Sequence, residues 1–273
     1  SPLVRRRGLV ALVHHVHREQ WRIIYPGLSG RVGWFVESRL TPMLYRAVPH
    51  VTVSDASRRD LIELGVPSRL VSVIHNGTPE PLEIDATRSS TPRICVLSRL
   101  VPHKQVEHAI EVVASLSGEI PGIALDVIGD GWWSDRVLAC IDEHGMAGRV
   151  TMHGHVDETT KATLLEAAWL MLLPSVKEGW GIAILEAASH RTPTIAYRGA
   201  GGVRESIRDG ETGILVTGVE GMRAAAAGLV ADPQRLAQMA ERARDVAREY
   251  TWDETVREFE LVLATSGQLT GRR

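Results

Sequence analysis

Two glutamates, Glu178 and Glu186, are the side chains best placed to do chemistry in this sequence. They lie in the stretch 173–188, LPSVKEGWGIAILEAA, in which an apolar run, a glycine-containing loop and an apolar-periodic helix follow one another. A loop that leads into a helix N-terminus presents unpaired N–H groups and the positive end of the helix dipole, which together favour an anion. Carboxylates beside an anion need neutral hydroxyls to accept from, and sugar or ribose hydroxyls are such donors. The alternative of two ordinary solvated acids is opposed by the apolar neighbours of Glu186.

The segment E-G-W-G-I-A-I-L-E-A resembles the E-x7-E element of the GT-B retaining glycosyltransferases, the group 1 or family 4 enzymes. The resemblance includes the glycines and the aromatic residue between the two acids. It implies that Glu178 accepts from hydroxyls of the donor sugar and that Glu186 accepts from the ribose hydroxyls. It also implies that the backbone N–H groups of Gly181 and Ile182 support the donor diphosphate.

A second segment, Ser98 to Lys104 or SRLVPHK, resembles the G-R-L-x-x-x-K segment of the same family, with Ser98 in place of glycine. By that resemblance Arg99 and Lys104 bind the donor diphosphate. Two fixed cations can neutralise the charge that grows on a leaving diphosphate and so replace a divalent metal. We therefore expect no metal and no cofactor, only a nucleotide-diphosphate sugar as donor.

Three further loops resemble the nucleotide side of the family's site. The first two predict contacts with the base and ribose, although each alone would pass for a simple turn. The loops are Gly129-Asp130-Gly131, His153-Gly154-His155 and the segment 199–205, GAGGVRE.

A third group of polar side chains, His14, His15 and His17, follows the apolar run GLVALV at 8–13. Ligands gather at the carboxyl ends of parallel strands, so these histidines are well placed. Their spacing matches no zinc signature, and packing or capping is the default role for at least two of them. In the resembled family a histidine at this point contacts the donor sugar, which favours His14, with His15 next.

Alternating strand and helix patterns predict the fold from residue 93 onward, as a doubly wound parallel sheet. The predicted strands are 94–97, 124–128, 150–152, 170–173, 194–197 and 213–216, and the helices between them are 106–115, 134–144, 159–168 and 182–190. Before residue 80 the pattern predicts strands 8–13, 50–53 and 71–74, and a helical stretch 18–48 interrupted at Pro26, Gly30 and Pro42. The predicted class is α/β and GT-B-like, with two Rossmann-like parallel-sheet domains.

The domain prediction places an acceptor-side domain at 1–80, a polar linker at 81–92, a nucleotide-sugar domain at 93–250 and a crossover helix and tail at 251–273. In the resembled family, several strand-helix units precede the histidine-bearing strand. This chain begins almost at that strand, so the first domain is expected to be incomplete.

Composition and cysteine spacing indicate the compartment in which the protein is expected to function. The 273 residues are 44% hydrophobic and 23% charged, and no apolar run is long enough to span a membrane. The short apolar segment 8–13 reads better as a strand, so no signal peptide is expected. Cys95 and Cys140 are isolated, which predicts buried thiols in a reducing, cytoplasmic compartment.

Charge is distributed unevenly along the chain. Residues 1–50 carry eight arginines and two glutamates, a net charge of +6, which leaves −8 for the rest. This region is interpreted either as a peripheral contact with an anionic membrane or glycan, or as a solvated arginine-rich surface. No recognised motif accompanies it, so a nucleic-acid role is not supported.

The reaction that the resemblance implies is transfer of a hexosyl unit, with retention at the anomeric carbon, to a glycan, lipid or small-molecule acceptor. The leaving phosphate oxygen would take the acceptor's proton. UDP, GDP and ADP all remain candidate nucleotides. Two alternatives on the same architecture are a non-catalytic nucleotide-sugar-binding module and a nucleotide-sugar 2-epimerase, although the epimerase's cluster of acids is missing. A phosphorylase that uses pyridoxal phosphate is a further alternative, but this sequence lacks the cofactor lysine of such enzymes.

Overall fold

The computed structural model describes residues 9–82 and 84–271, with side chains through residue 266. The start of the first predicted strand at Gly8 and the arginines at 5–7 lie outside the described residues. The chain forms two compact units. The first comprises three chain segments, up to residue 77, 178–180 and from 250 onward, and the second comprises 78–177 and 181–249.

This division differs in detail from the predicted domains. The boundary lies after residue 77, and the segment 81–92, predicted as a linker, belongs to the second unit. The terminal helix belongs to the first unit. So does the tripeptide Glu178-Gly179-Trp180, which pattern reasoning assigned to the second domain together with its neighbours.

The first unit contains a three-stranded parallel sheet in the order β1-β2-β3. Its strands are β1 (Ala11–Val13), β2 (His50–Thr52) and β3 (Val71–Val73). Its helices are α1 (Arg18–Ile24), α2 (Leu28–Phe35), α3 (Thr41–Tyr45), α4 (Asp55–Glu63) and α12 (Trp252–Gly271), with a π-helical turn at Val36–Leu40 between α2 and α3.

The stretch predicted to be helical over 18–48 is helical from Arg18 to Tyr45 except near Pro26, so the breaks predicted at Gly30 and Pro42 were wrong. Gly30 lies inside α2, where a Cβ would overlap the carbonyl oxygens of Trp21 and Tyr25, so glycine permits close packing here. Pro42 stands in the first turn of α3, a position that tolerates the missing N–H.

The second unit contains a six-stranded, fully parallel sheet in the order β6-β5-β4-β7-β8-β9. The strands are β4 (Arg93–Leu97), β5 (Ala124–Ile128), β6 (Val150–Gly154), β7 (Leu170–Leu173), β8 (Thr194–Tyr197) and β9 (Gly213–Val216). The helices are α5 (Val106–Leu116), α6 (Ser134–Glu143), α7 (Glu158–Ala167), α8 (Ile182–Ser189), α9 (Val203–Ser206), α10 (Gly218–Ala231) and α11 (Pro233–Ala247). The predicted α/β alternation is confirmed.

Both faces of the large sheet are covered, as a parallel sheet requires. Leu125 and Val127 of β5 point into one hydrophobic cluster, together with Ile110 of α5. Ile128 points to the other face, into a cluster that includes Leu165 of α7 and Ile184 of α8. The strands are therefore continuous apolar runs in the sequence, which explains why their predicted bounds lie close to the observed ones.

Two predicted loops carry secondary structure. His153 and Gly154 form the end of β6, two residues beyond the predicted strand end at Met152. Within 199–205, residues from Val203 onward form the short helix α9. No helix in the described ranges combines the length and apolar character needed to cross a membrane.

Candidate functional site

The strand order of the second unit defines where a ligand can bind. The chain builds β4, β5 and β6 outward in one direction and then returns to place β7 on the other side of β4. Such a switch point leaves a crevice outside the carboxyl ends of the two central strands. The segment Ser98 to Lys104 follows β4, and the glycine-containing loop that leads to α8 follows β7.

Backbone hydrogen bonds join the loops that follow β4, β5 and β6. Leu100 N–H donates to the Asp130 carbonyl at 3.0 Å, and Gly129 N–H donates to the Gly154 carbonyl at 2.9 Å. A Cβ on Gly131 would overlap the Leu100 carbonyl oxygen, so glycine is needed for this approach. The predicted nucleotide loops therefore lie side by side, with their backbones at the edge of the sheet.

The two predicted diphosphate cations lie on the loop after β4. Arg99 is exposed, and Lys104 is half-buried at the end of a 3-10 turn, Pro102–Lys104. That turn is tied to the loop after β7, because Val176 N–H donates to the His103 carbonyl at 2.9 Å. The loops on the two sides of the switch point are thus joined through backbone bonds.

Sequence reasoning missed two hydroxyls at this edge. Ser98 Oγ after β4 and Ser175 Oγ after β7 are buried and have no hydrogen-bond partner within the part of the chain that the structure describes. Leaving a buried hydroxyl unpaired is costly. Two such groups in the loops after adjacent strands at the switch point fit a polar ligand, and only the strand order makes these two strands neighbours.

Helix α8 begins at this edge with Gly181 as its N-cap, in the left-handed region at φ +88°. A Cβ there would also lie 2.6 Å from Ile184 Cδ1. The N–H groups of Gly181 and Ile182 belong to the first turn, where a helix favours an anion. The Ile182 side chain is partly exposed.

Glu186, the fifth residue of α8, does not stand alone. Its Oε1 accepts from Lys161 Nζ of α7 at 2.9 Å. Lys161 also pairs with Glu158, at 2.8 Å to Oε2. Burial lowers the pKa of Lys161, but the hydrogen bonds to both carboxylates outweigh burial and raise the pKa above its usual value. Lys161 belongs to no motif that the sequence shows.

Two predicted nucleotide-binding side chains already have partners in the protein. The hydrogen bonds that Asp130 accepts from Gly131 N–H and Ser134 Oγ lower its pKa, and they place its carboxylate at the start of α6. His153 Nε2 lies 2.7 Å from Oδ1 of Asp126, a fully buried acid that Arg93 also contacts. His155 lies exposed beyond β6.

In the first unit the structure separates the three histidines by environment. His14 is exposed, whereas a ring nitrogen of His15 lies 3.0 Å from the Gln20 amide. His17 pairs with Glu37 at 2.9 Å. His17 therefore has a structural role in joining α1 to the π-helical turn, whereas the exposed His14 side chain is accessible to a ligand.

The tripeptide that carries Glu178 packs against the His14 backbone. Gly179 is buried, and a Cβ there would overlap the His14 carbonyl oxygen, which also accepts from Ser57 Oγ at 3.0 Å. Trp180 is 2% exposed and stacks on His75, with ring centroids 4.2 Å apart. The close contact between Gly179 and the His14 carbonyl thus holds Glu178 near His14 within the first unit.

One cluster in the described ranges has metal-ligand composition: Cys140, Glu143 and His144 at the end of α6. Because α6 runs back from the carboxyl edge, its last turn lies at the opposite edge of the sheet from the predicted site. The groups also have local partners: His144 Nδ1 bonds the Cys140 carbonyl at 2.9 Å, and Glu143 pairs with Arg136 at 2.8 Å.

Comparison with known proteins identifies the family. The family model described as glycosyl transferases group 1 matches residues 82–246. The D-inositol 3-phosphate glycosyltransferase of Mycobacterium avium is 34% identical over 170 residues, covering 59% of this chain and 39% of that protein. An exopolysaccharide phosphotransferase of Streptomyces coelicolor is 33% identical over 165 residues, covering 59% of this chain and 17% of that protein.

Solved structures share the fold. Anabaena HepE in complex with UDP-glucose superimposes with a TM-score of 0.79 at 21% identity, over 95% of this chain and 73% of that one. A mutant of S. aureus TarM, bound to UDP among other ligands, superimposes with a TM-score of 0.77 at 19% identity, over 93% of this chain and 50% of that one.

The matched region spans well under two thirds of the length of the first curated relatives, at 17–39%. The family match itself covers more than half of this chain and almost the whole second unit. The parallel sheets match GT-B glycosyltransferase structures, as predicted. The chain therefore belongs to the group 1 glycosyltransferases.

Proposed function

We propose that the protein is a retaining glycosyltransferase that moves a hexosyl unit from a nucleotide-diphosphate sugar to a glycan, lipid or small-molecule acceptor. One observation carries the proposal: the switch point between β4 and β7 lies where the segment bearing Arg99 and Lys104 and the loop leading to α8 emerge. The resemblance assigns the donor diphosphate to these same two elements.

The second unit binds the nucleotide in this proposal. Arg99, Lys104 and the N–H groups of Gly181 and Ile182 hold the diphosphate, and charge-assisted hydrogen bonds of this kind are the strong ones. Glu186 accepts from the ribose hydroxyls. The base and ribose lie along the loops 129–131 and 153–155, mainly against backbone, since Asp130 and His153 have partners inside the protein.

By the resemblance, Glu178 and His14 contact the donor sugar. The leaving phosphate oxygen takes the acceptor's proton as the new bond forms on the same face of the sugar, so no protein nucleophile is required. The fixed cations neutralise the charge that grows on the diphosphate, and no metal is needed for that purpose. These assignments are supported by the placement of the residues and by the resemblance.

UDP is the first nucleotide to test because the HepE structures contain UDP or UDP-glucose. GDP follows, because a relative from Mycolicibacterium smegmatis is named a GDP-mannose-dependent mannosyltransferase. We place the protein in the cytoplasm, supported by two free, buried cysteines. Peripheral membrane contact through α1–α3 is also part of the proposal, and the acceptor then includes lipid-linked glycans.

The experiment is calorimetric titration with UDP, GDP and ADP in the presence of EDTA. We expect micromolar binding of one nucleotide. Arg99→Ala or Lys104→Ala should weaken diphosphate binding by about 1.5 to 3 kcal/mol each and leave the affinity for the corresponding nucleoside unchanged. The nucleoside is therefore the internal control.

A folded protein that binds none of the three nucleotides, or binds them only with a divalent metal, would contradict the donor-site assignment. Turnover of the matching nucleotide sugar, with the product's anomeric configuration read by NMR, separates the transferase from a non-catalytic binding module. An inverted product would exclude the retaining mechanism, and a C2-epimerised nucleotide sugar formed without an acceptor would favour the epimerase.

A further inference from the structure

The carboxylate of Glu186 is held by a lysine that belongs to no motif. Lys161 stands in the first turns of α7, 25 positions before Glu186, and its ammonium lies 2.9 Å from Glu186 Oε1. The side chains of Lys161 and Glu186 are 18% and 19% exposed, so both are largely removed from solvent. A partly buried ion pair of this kind is weakly screened by salt and has a defined geometry.

The pair leaves part of the carboxylate available to a ligand. A carboxylate has two oxygens that can each accept more than one hydrogen bond. Oε1 is bonded to Lys161, and Oε2 remains to accept from a ligand hydroxyl. The pair borders a small cavity of about 30 Å³, lined also by Ser189, His190 and the segment 79–82, which has room for a single hydroxyl or water molecule beside the pair.

Lys161 also compensates the negative charge of Glu186 near the proposed diphosphate site. Glu186 lies on the same helix as the N–H groups of Gly181 and Ile182, which the proposed function assigns to a diphosphate. An uncompensated carboxylate one turn from that anion would repel it, because like charges at short range disfavour each other. A bonded ammonium cancels the charge of Glu186 without occupying its second oxygen.

We propose that Lys161 is a positioning residue that fixes the Glu186 carboxylate for reading the ribose hydroxyls, and thereby sets the preference of this site for ribonucleotides over deoxyribonucleotides. The inference rests on the proposed nucleotide site. Lys161 does not contact the ligand itself, because it acts only through the Glu186 carboxylate. Glu158, the other partner of Lys161, is 72% exposed and contributes little to this positioning.

The experiment measures discrimination by calorimetry: the affinity for the nucleoside diphosphate that binds best, divided by the affinity for its 2′,3′-dideoxy analogue. The parent chain should discriminate by about tenfold or more, because a hydroxyl donating to a carboxylate forms a charge-assisted bond. Lys161→Met should lower this ratio to about twofold or less. Lys161→Arg, which retains the charge, should restore most of it.

Two further variants separate positioning from a general effect on structure. Glu158→Gln removes the other partner of Lys161 and should keep the parental ratio. In a Glu186→Gln background, Lys161→Met should change the ratio no further, because the residue through which it acts is gone. A purely structural role would lower the melting temperature but leave the ratio unchanged.

Outcomes that overturn the inference are distinct from those that overturn the proposed function. Failure of the folded parent to bind any nucleotide contradicts both. If the parent chain binds the nucleotide and discriminates against the dideoxy analogue, and Lys161→Met keeps the same affinity ratio, only the role of Lys161 is overturned. A loss in Glu158→Gln as large as that in Lys161→Met would also overturn it, since the effect would then belong to the charge cluster and not to the Lys161–Glu186 pair.

Discussion

Gly179 occupies a position where no other residue type fits. A Cβ would overlap the His14 carbonyl oxygen and lie 3.3 Å from Val53 Cγ2. The neighbouring residues are Glu178, proposed to contact the donor sugar, and Trp180, which is buried against His75. At the scale of single residues, the placement of the first glutamate of the motif therefore depends on the absence of a side chain beside it.

Gly179→Ala should push this tripeptide away from β1 and lower turnover by about tenfold or more, with an overpacking cost of about 1 to 3 kcal/mol in the free energy of unfolding. Nucleotide affinity, a property of the second unit, should change little. Gly228→Ala is the matched control: Gly228 lies in α10 with nothing within 4 Å of the added Cβ. That variant should gain about 0.5 to 1 kcal/mol of stability and keep parental activity. Parental turnover in Gly179→Ala would refute the role of the close contact.

At the scale of elements, the helices α2 and α3 and the π-helical turn between them present apolar side chains to solvent. Five such side chains are 43–74% exposed: Leu28, Val32, Phe35, Val36 and Met43. Beside them, Arg22 and Arg31 line a cavity of about 510 Å³ together with Tyr25 and Trp34. Helices that carry both exposed apolar and arginine side chains are typical of elements that lie on anionic membranes.

We expect the protein to sediment with vesicles that contain phosphatidylglycerol, but not with pure phosphatidylcholine, and to be released at high salt. Each arginine near an anionic surface contributes about 1 kcal/mol, so the pair Arg22→Glu and Arg31→Glu should reduce binding by about tenfold or more. The charge-matched control is Arg235→Glu with Arg242→Glu on α11, both exposed in the second unit. Equal losses in the two variants would show non-specific attraction, and the membrane contact would then be rejected.

At the scale of the whole molecule, the first unit is assembled from three separated chain segments. Tyr250 lies 5.1 Å from Trp180 and 5.7 Å from His75, measured between ring centroids. Thr255 Oγ1 donates to the His75 carbonyl at 2.8 Å. A Cβ on Gly77 would overlap the backbone of Trp252. The start of the C-terminal segment, residues 250–255, is therefore packed against the rest of the first unit.

Truncation after Glu249 should unfold or loosen the first unit, because the aromatic cluster loses Tyr250 and the Gly77 region loses its packing partner. The second unit serves as the internal control, since its 78–177 and 181–249 segments remain present. Hydrogen exchange followed by mass spectrometry should show lost protection in β1, β2 and α4 and retained protection in β4–β8. Undiminished protection in the first unit would contradict this account.

The sequence by itself determined the α/β alternation, most strand and helix bounds in the second unit, the loop that carries Arg99 and Lys104, and the helix that carries Glu186. These features depend on local hydrophobic periodicity and on turn residues, which can be read along the chain. Local signals misled where packing overrode them. Gly30 and Pro42 break helices in isolation, but here they are accommodated by a close backbone approach and by a first-turn position.

Only the tertiary structure decided which side chains meet. The strand order β6-β5-β4-β7 brings Arg93, Asp126 and His153 together across three strands, and it makes neighbours of β4 and β7, whose following loops carry the buried hydroxyls of Ser98 and Ser175. It also packs α7 beside α8, so that Lys161 reaches Glu186. Periodicity reports which face of an element is buried but not its neighbour, and hence the partners of each motif residue became known only when the elements were in place.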